Sequence, residues 1–463
     1  MTIFGSIETG RSALQAQLKG MAVSGQNVAN ANTPGYSRQR VDLVAAVPAL
    51  TGGLSPSPGY GVEVAAITRM RSEFYHNQAM NAYSYLAYWE MNLEAYGGAE
   101  IVFMEPGESG LSGYFGDFFD SWQELSGSPE SAAVRMSLRK QAVSFTDAVR
   151  DTYLRLGDLK VELENEFEKR VREINELAAE VAVINEQVTF AGALGESPNA
   201  LLDQLDLALE QLSGLVDIRV YHKESGAVEI FAGGRLLVQD QQCYGLSLET
   251  RDNELRLLSS RGVPLEMRSG RLKGLEEAVN RIIPGLQGQL DEIVGCLVEN
   301  VNALHRRGYG LDGESGRVFF AEIEDGALPI SLQFKLDEAV LNDSAVIAAA
   351  SRWGDAGEPG NGENALAMSR LCNENLMGAG NVSLMDAYRG MISSLGVEGR
   401  ESERMGSAFQ EVYAQLQSQH ESVTGVNIDE EALDMIQFGY AWQAAANFIG
   451  HIDRMLESLF REL

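Results

Sequence analysis

The chain has few cysteines and no long apolar run, and both shortages exclude classes of protein. Cys243, Cys296 and Cys372 are the only cysteines in 463 residues, they lie far apart, and none forms a CxxC pair. A disulfide framework or a zinc site is therefore not expected, and buried free thiols are predicted. No stretch approaches the roughly 20 apolar residues of a membrane span. The start of the chain lacks the basic and apolar regions of a cleavable secretory signal.

Basic residues and histidines are also scarce. There are 36 Lys and Arg against 66 Asp and Glu, which gives a net charge of −30, and only 5 histidines. Such a charge repels phosphate, so neither nucleic acid nor an anionic membrane is an expected partner. No arrangement of nucleophile and base is visible, so no catalytic residue, cofactor-binding residue or metal ligand is predicted. The length predicts two or more domains.

The two ends of the chain carry matching heptad seams, in which apolar residues alternate by three and four. The C-terminal seam consists of Met435, Phe438, Trp442, Ala445, Ile449, Ile452, Leu456, Leu459 and Leu463. The N-terminal seam consists of Phe4, Ile7, Arg11, Leu14, Leu18, Met21, Gly25 and Val28. Each pattern predicts a helix that needs a partner helix, and together they predict a coiled-coil stalk made from both ends.

The C-terminal helix also lacks charge on its other faces. No charged residue lies between Asp434 and His451. One partner helix covers only one side of such a helix, so its remaining apolar surface is expected to be buried against other subunits. We therefore expect both ends to be mobile in the monomer and to become helical on assembly.

The middle of the chain predicts an elongated helical body with a small β insertion. Helical periodicity without proline runs through residues 132–190 and predicts a rod-like helix with a break somewhere along it. Short β-type runs separated by turn residues fill 217–270. A glycine-rich turn region is expected from about residue 100 to 128, loop and hairpin at 41–70, and helices at 363–395 and 401–420.

The predicted fold is therefore mainly α with an inserted small antiparallel β domain (α+β). Residues 1–40 and 427–463 are predicted to form the terminal coiled-coil assembly domain. Residues 41–216 and 271–426 form the elongated rod, and 217–270 form the β domain.

Two motifs near the ends identify a family. Residues 27–36 read NVANANTPGY and resemble the N-terminal signature shared by the rod, hook and hook-associated proteins of the bacterial flagellum. The continuation SRQRV at 37–41 is closest to the first of the two kinds of hook–filament junction protein. Residues 422–432, SVTGVNIDEEA, resemble the motif that opens the last helix in that group. In this helix, Asn427 is predicted to be the cap and Glu430 to reach back to it.

Other stretches of the chain agree with this resemblance. Residues 199–206, NALLDQLD, are similar to a motif of the same group, although Leu205 stands where the family usually has arginine. VNALH at 301–305 and GRVFF at 316–320 are similar to a helix end and the turn that follows it.

The resemblance implies a structural protein of the flagellum, exported uncleaved through the flagellar type III channel and packed as a ring between hook and filament. Its implied partners are other copies of itself, the hook protein, the second junction protein and a cytoplasmic export chaperone on the C-terminal helix. The predicted assembly interface comprises Leu14, Leu18, Asn27, Asn30, Thr33, Pro34, Gly35, Tyr36, Phe438, Trp442, Ile449, Ile452 and Leu456. The C-terminal motif residues are Gly425, Val426, Asn427, Glu430 and Glu431.

Several alternatives compete with this interpretation. GYGLDG at 308–313 matches the dinucleotide pattern GxGxxG but follows a predicted helix instead of a strand. The acidic residues at 312, 314, 322, 324 and 325 lack the ligand order of a calcium loop. Another axial subunit of rod or hook remains an alternative. A cell-wall glycosidase would need a carboxylate pair that nothing in the sequence distinguishes.

Overall fold

The computed structural model describes residues 3–46, 61–105, 110–251, 253–324, 326, 328–353, 360–378 and 380–462. The helices of these ranges are α1 (Ile3–Asn30), α2 (Glu73–Phe103), α3 (Leu111–Gly127), α4 (Ala132–Ala193), α5 (Asn199–Leu215), α6 (Arg271–Glu277), α7 (Ile283–Arg307), α8 (Ile330–Gln333), α9 (Glu338–Asn342), α10 (Glu363–Arg370), α11 (Leu384–Thr424) and α12 (Ile428–Glu462). The strands are β1 (Gln39–Ala45), β2 (Val62–Arg69), β3 (Ile218–His222), β4 (Val228–Ala232), β5 (Arg235–Gln239), β6 (Gln242–Cys243), β7 (Leu246–Arg251), β8 (Glu254–Ser259), β9 (Asn375–Met377) and β10 (Val382–Ser383).

Helix α4 is the longest element of the body. Its 62 residues span about 93 Å without interruption, so the predicted break is wrong. The helix contains no proline, and a continuous stripe faces the core with Leu156, Leu163, Phe167, Val171 and Ile174 all buried. Gly157 does not interrupt the helix, because burial of the stripe on both sides of it outweighs the roughly 1 kcal/mol cost of one helical glycine.

Helix α3 replaces the predicted glycine-rich turn region, and that prediction is wrong. Leu111, Phe115, Phe118, Trp122 and Leu125 fall on one face of the helix and are all buried. This stripe is visible in the sequence, but the intervening glycines lower helix propensity and conceal it. Aromatic packing against the neighbouring helix stabilises α3 in the body.

The C-terminal half of the body also differs from the prediction. The expected helix at 363–395 ends early, at Arg370, and a β9–β10 hairpin follows. Helix α11 then runs unbroken through 396–400, where a boundary was predicted. Gly399 is buried where α11 passes α2, and a Cβ on it would make ordinary contact with Cβ of Tyr96, 3.7 Å away.

The β strands between α5 and α6 are antiparallel. They form a four-stranded sheet in the order β3-β4-β5-β6 and a separate β7–β8 hairpin. Asn185 of α4 fastens the sheet to the long helix: its Nδ2 donates to Val228 O and Asp240 O, both at 2.9 Å, and its Oδ1 accepts from Val228 N at 2.8 Å. The prediction of a mainly α fold with a small antiparallel β part is confirmed. The division into three domains with the stated boundaries stays a prediction.

The predicted hairpin at 41–70 is present as β1 and β2. They pair antiparallel from Gln39↔Arg69 to Ala45↔Val62, and residues 47–60 lie outside the described part of the chain.

Among the described helices, none combines the length and the apolar character that crossing a membrane requires. All three cysteines are free: Cys372 is buried, and Cys243 and Cys296 are half-buried instead of buried as predicted.

Candidate assembly surface and its joint to the rod

Helices α1 and α12 pack against each other along their length. They run antiparallel, because Gly10 lies against Ile449 while Gly20 lies against Phe438. A Cβ on Gly10 would come within 2.5 Å of Ile449, and one on Gly20 within 2.7 Å of the Phe438 ring. Both ends are helical in this single chain, whereas the sequence predicted that they become helical on assembly.

The two ends pair as predicted, but α1 uses a different face. Its buried positions are small or polar residues, namely Gly10, Ala16, Gly20, Val23, Ser24 and Asn27. Of the predicted N-terminal seam, Leu18 is 57% exposed and Leu14 is half-buried, and the side chain of Phe4 lies outside the described residues. Small side chains let two helix backbones approach closely, which a leucine seam on α1 would prevent.

The C-terminal seam faces α1 and agrees with the prediction better than the N-terminal seam does. Ile452 is buried, and Phe438, Ala445, Ile449 and Leu456 are half-buried. Two seam positions are exposed, Met435 at 39% and Trp442 at 41%. The side chains of Leu459 and Leu463 lie outside the described residues.

The exposed side of the terminal pair, here called the outward face, is rich in large apolar residues. It comprises Leu18, Ile428, Leu433, Met435, Ile436, Tyr440, Trp442, Phe448 and Met455. So many large exposed apolar residues on one helix pair are typical of an interaction site. The assembly-interface residues predicted from the sequence therefore divide into an inward group, exemplified by Phe438 and Ile452, and an outward group, exemplified by Leu18 and Trp442.

Close packing at Gly20 gives a testable consequence. Gly20→Ala places a methyl group inside the Phe438 ring contact, so we expect the terminal pair to lose about 1–3 kcal/mol of stability. A methyl group on Gly25 of the same helix would meet no atom within 4 Å, so Gly25→Ala is expected to gain about 0.5–1 kcal/mol through helix propensity. Calorimetric unfolding of the two purified variants and the unaltered chain measures both changes in stability. Equal effects of the two substitutions would contradict the close contact.

The N-terminal signature folds into a turn that Asn27 holds together. This side chain is 1% exposed. Its Nδ2 donates to Gln39 O at 2.9 Å, and its Oδ1 accepts from the Tyr36 hydroxyl at 2.8 Å and from Gln39 N at 3.0 Å. Burial raises the pKa of Tyr36 to about 12. Both residues thus make contacts within the chain, and their predicted role between subunits stays a prediction.

The other signature residues shape the same turn. Thr33 Oγ1 donates to Asn30 Oδ1 at 3.3 Å, and Gly35 has φ +76°, a conformation that favours glycine. Thr33, Pro34 and Gly35 are exposed and line a cleft of about 580 Å³ between the signature and the rod.

The C-terminal motif meets this turn through Arg38, and we call the region of their contact the joint. Arg38 N donates to Thr424 O at 2.8 Å. Its guanidinium pairs with Glu431 at 2.6 Å, Glu430 at 3.1 Å and Asp434 at 3.7 Å. Glu431 is 1% exposed, so the ion pair between Arg38 and Glu431 is largely shielded from water.

The start of α12 is capped in part as predicted. Asn427 Oδ1 accepts from Asp429 N at 3.0 Å at the start of α12. Gly425 N caps the preceding helix α11 by donating to Glu421 O at 2.7 Å. The predicted reach of Glu430 back to Asn427 is wrong, because Glu430 pairs with Arg38 instead. Val426 lines the cleft beside the signature turn.

The motif at 199–206 fastens the joint to the rod. Asp203 and Asp206 of α5 pair with Arg69 at 2.7 and 3.0 Å, and Asp203 Oδ2 accepts from Ser37 N at 3.4 Å. Asn199 Nδ2 donates to Ile67 O at 3.0 Å. Sequence reasoning missed Arg38 and Arg69 as organising residues, since their partners lie 393 and 134 positions away.

The alternative sites have ordinary structural explanations. Gly308 ends α7, so the GxGxxG stretch follows a helix and forms a turn. Arg317 pairs with Asp312 and Glu314, and Arg306 pairs with Glu322, while Asp325 lies outside the described residues. Within the described ranges, no group of three or more His, Cys, Asp or Glu residues is arranged to hold a metal ion.

Comparisons with known proteins agree with the two motifs. A sequence profile described as flagellar hook-associated protein FlgK helical domain matches residues 98–320, and one described as flagella basal body rod protein matches residues 7–36. The chain is 28% identical over 497 residues to flagellar hook-associated protein 1 of Bacillus subtilis, covering 98% of this chain and 97% of that protein. It is 25% identical over 551 residues to the protein of the same name in Salmonella typhimurium, covering 97% and 98%.

The fold agrees as well. The flagellar hook junction protein FlgK from Burkholderia pseudomallei superposes with a TM-score of 0.66 at 16% identity, covering 75% of this chain and all of that one. The near-complete coverage of both sequences shows that the resemblance extends over the whole chain and is not confined to the terminal motifs. The chain is thus similar to flagellar hook-associated protein 1 over nearly its whole length.

Proposed function

We propose that this chain is a structural subunit of the bacterial flagellum that forms the junction ring between hook and filament and allows the filament to assemble. The observation that carries the proposal is the outward face of the terminal helix pair. A single chain leaves Tyr440 71% exposed and Leu433 and Met455 each 60% exposed on one helix. Neighbouring copies would remove this apolar surface from water, at about 25 cal/mol per Å² buried.

The rigid connection between this face and the rod supports the same function. The Arg38 contacts bind the start of α12 to the segment after the signature turn. Asp203 and Asp206 bind α5 to Arg69 at the end of β2, and Asp203 also accepts from Ser37 N beside the turn. A subunit that packs through its terminal helices can therefore hold its rod at a defined angle in the ring. We propose the hook protein and the second junction protein as the partners on the two sides of the ring.

The uncharged surface of α12 is also the basis for proposals about export and chaperone binding. We propose that the protein leaves the cell without cleavage through the flagellar export channel, and that a cytoplasmic chaperone first covers α12. The helix has no charged residue from Met435 to Gly450, so its apolar surface needs protection from aggregation before assembly. The proposed role is structural and not enzymatic.

Deletion of the gene tests the proposal. We expect cells with hooks but without filaments, and filament subunits released into the medium, which electron microscopy and immunoblotting of culture supernatant detect. Expression of the full chain from a plasmid should restore filaments. Cells that lack hooks altogether would contradict a junction role and favour the alternative, another axial subunit of rod or hook.

A further inference from the structure

Two histidines meet at the joint. His76 lies in the first turn of α2 and His420 in the last turn of α11, with ring centroids 5.5 Å apart. His76 is 7% exposed, and both side chains border the cleft that the signature turn lines. The contact therefore holds the end of α11, from which α12 continues, against the start of α2.

The charged groups around this pair come from every element packed against it. Asp206 of α5 is the nearest carboxylate, 3.9 Å from His76 Nε2, but it already pairs with Arg69 at 3.0 Å and Arg71 at 2.9 Å. Glu210 accepts a hydrogen bond from the Tyr413 hydroxyl. The other charged or titratable groups nearby are His222 and Glu421, which act on the two rings, and Glu73, about one turn before His76. Asp206 and Glu210 are thus already engaged by other partners.

The same cluster contains buried polar atoms without hydrogen-bond partners. Within the described part of the chain these are His76 Nε2, His420 Nδ1, Asp206 Oδ1, and Nε and Nη2 of Arg71. Arg71 Nη2 is close to Asp206 Oδ1, but the two are not aligned for a hydrogen bond. The chain itself supplies no hydrogen-bond partner to these atoms, so solvation in an open joint would favour separation of the two rings.

We propose that the contact between His76 and His420 is a pH-sensitive latch, which holds the last turn of α11 on α2 at neutral pH and opens on mild acidification as the imidazoles take up protons. Opening admits water between the two imidazoles and loosens the angle between the terminal helix pair and the rod. The proposal concerns the single chain and does not depend on the junction function.

The direction of the pH response follows from the coupling between protonation of the histidines and opening of the joint. Burial lowers the pKa of His76 to about 4, although the nearby Asp206 acts in the opposite direction. Burial also lowers the pKa of His420. In an open, hydrated joint each imidazole returns toward its ordinary value of 6.5. The open state therefore binds more protons between these values, and lowering the pH from 7.5 to 5 raises the open population roughly thirtyfold through His76 alone.

Hydrogen–deuterium exchange of the full chain at pH 7.5 and pH 5.0, corrected for the intrinsic chemical rate, tests the latch. We expect peptides covering residues 31–38, 72–78 and 413–424 to exchange about tenfold or more faster at pH 5.0, while peptides from the middle of α4 do not change. Unchanged exchange at the joint would overturn the proposal. An equal acceleration in α4 would also overturn it, because it would indicate global unfolding.

Two variants separate the histidine pair from other titrating groups. His76→Gln with His420→Gln should abolish the response to pH, whereas His451→Gln, at an exposed position of α12, should keep it. A response that survives in the double variant would assign it to other groups and overturn the proposal. If the double variant does not fold, His420→Gln alone should reduce the response, and an undiminished response in it would count against the latch.

Discussion

Trp442→Asp is expected to abolish incorporation of the chain into the flagellum while lowering the melting temperature of the purified chain by no more than about 2 °C. Trp442 is 41% exposed and lies on the outward face of α12. In the single chain the new carboxylate is solvated. In the assembled ring it would be buried without a partner, which costs several kcal/mol per subunit. Filament counts in the complemented deletion strain and calorimetry of the monomer measure the two effects.

A matched variant at a buried position of the same helix provides the control. Ile452 is 6% exposed between α12 and α1, so Ile452→Asp should destabilise the helix pair already in the monomer, by about 3 kcal/mol or more. The two variants introduce the same charge into the same helix and differ in how exposed that position is in the single chain. Equal loss of monomer stability in both would show that Trp442 belongs to the chain's own core, against the proposed assembly surface.

Arg38→Ala is expected to destabilise the joint by about 3 kcal/mol, because it leaves the carboxylate of Glu431 buried without its cation. The side chain of Glu431 is 2% exposed, and that of Arg38 is 25% exposed, so the pair is screened only in part. Hydrogen exchange at the start of α12 should accelerate roughly a hundredfold, which is the same free energy expressed as a rate ratio. Glu431→Gln in the Arg38→Ala background should recover part of the loss.

Arg40→Ala is the control for this prediction. Arg40 is two residues away, pairs with Asp42 at 3.0 Å and has a side chain that is 64% exposed. Surface ion pairs of this kind contribute about 0–1 kcal/mol, so the substitution should hardly affect α12. Similar acceleration of exchange in both variants would contradict a specific role of Arg38.

The elements that the sequence predicted best are those with a strong local period. The stripe of α4 around Phe167 and Ile174 indicated a long helix. The runs at 218–221, 228–231, 235–238 and 255–258 indicated antiparallel strands, although they did not include β6 or β7. Local composition misled the prediction where tertiary burial outweighs propensity. Helix α3 forms despite its glycines because a stripe that includes Phe118 and Trp122 packs into the core.

The site was harder to predict than the fold for two physical reasons. The heptad pattern of α1 favoured Leu14 and Leu18 as the contact with α12, but the contact uses Gly10 and Gly20, because close approach of two backbones needs the absence of side chains. The joint leaves no local signal at all. The Arg38–Glu431 pair brings together residues from opposite ends of the chain, and no spacing within either segment predicts that contact.

The uninterrupted course of α4 has a mechanical consequence. Bending a helix of this length stretches backbone hydrogen bonds on one side along its whole extent, whereas a proline or an unwound turn would concentrate the strain at one point. A force applied at one end of this subunit therefore displaces the body as a stiff lever instead of folding it at a weak point. In the junction ring proposed above, such stiffness would pass torque from one end of the subunit to the other.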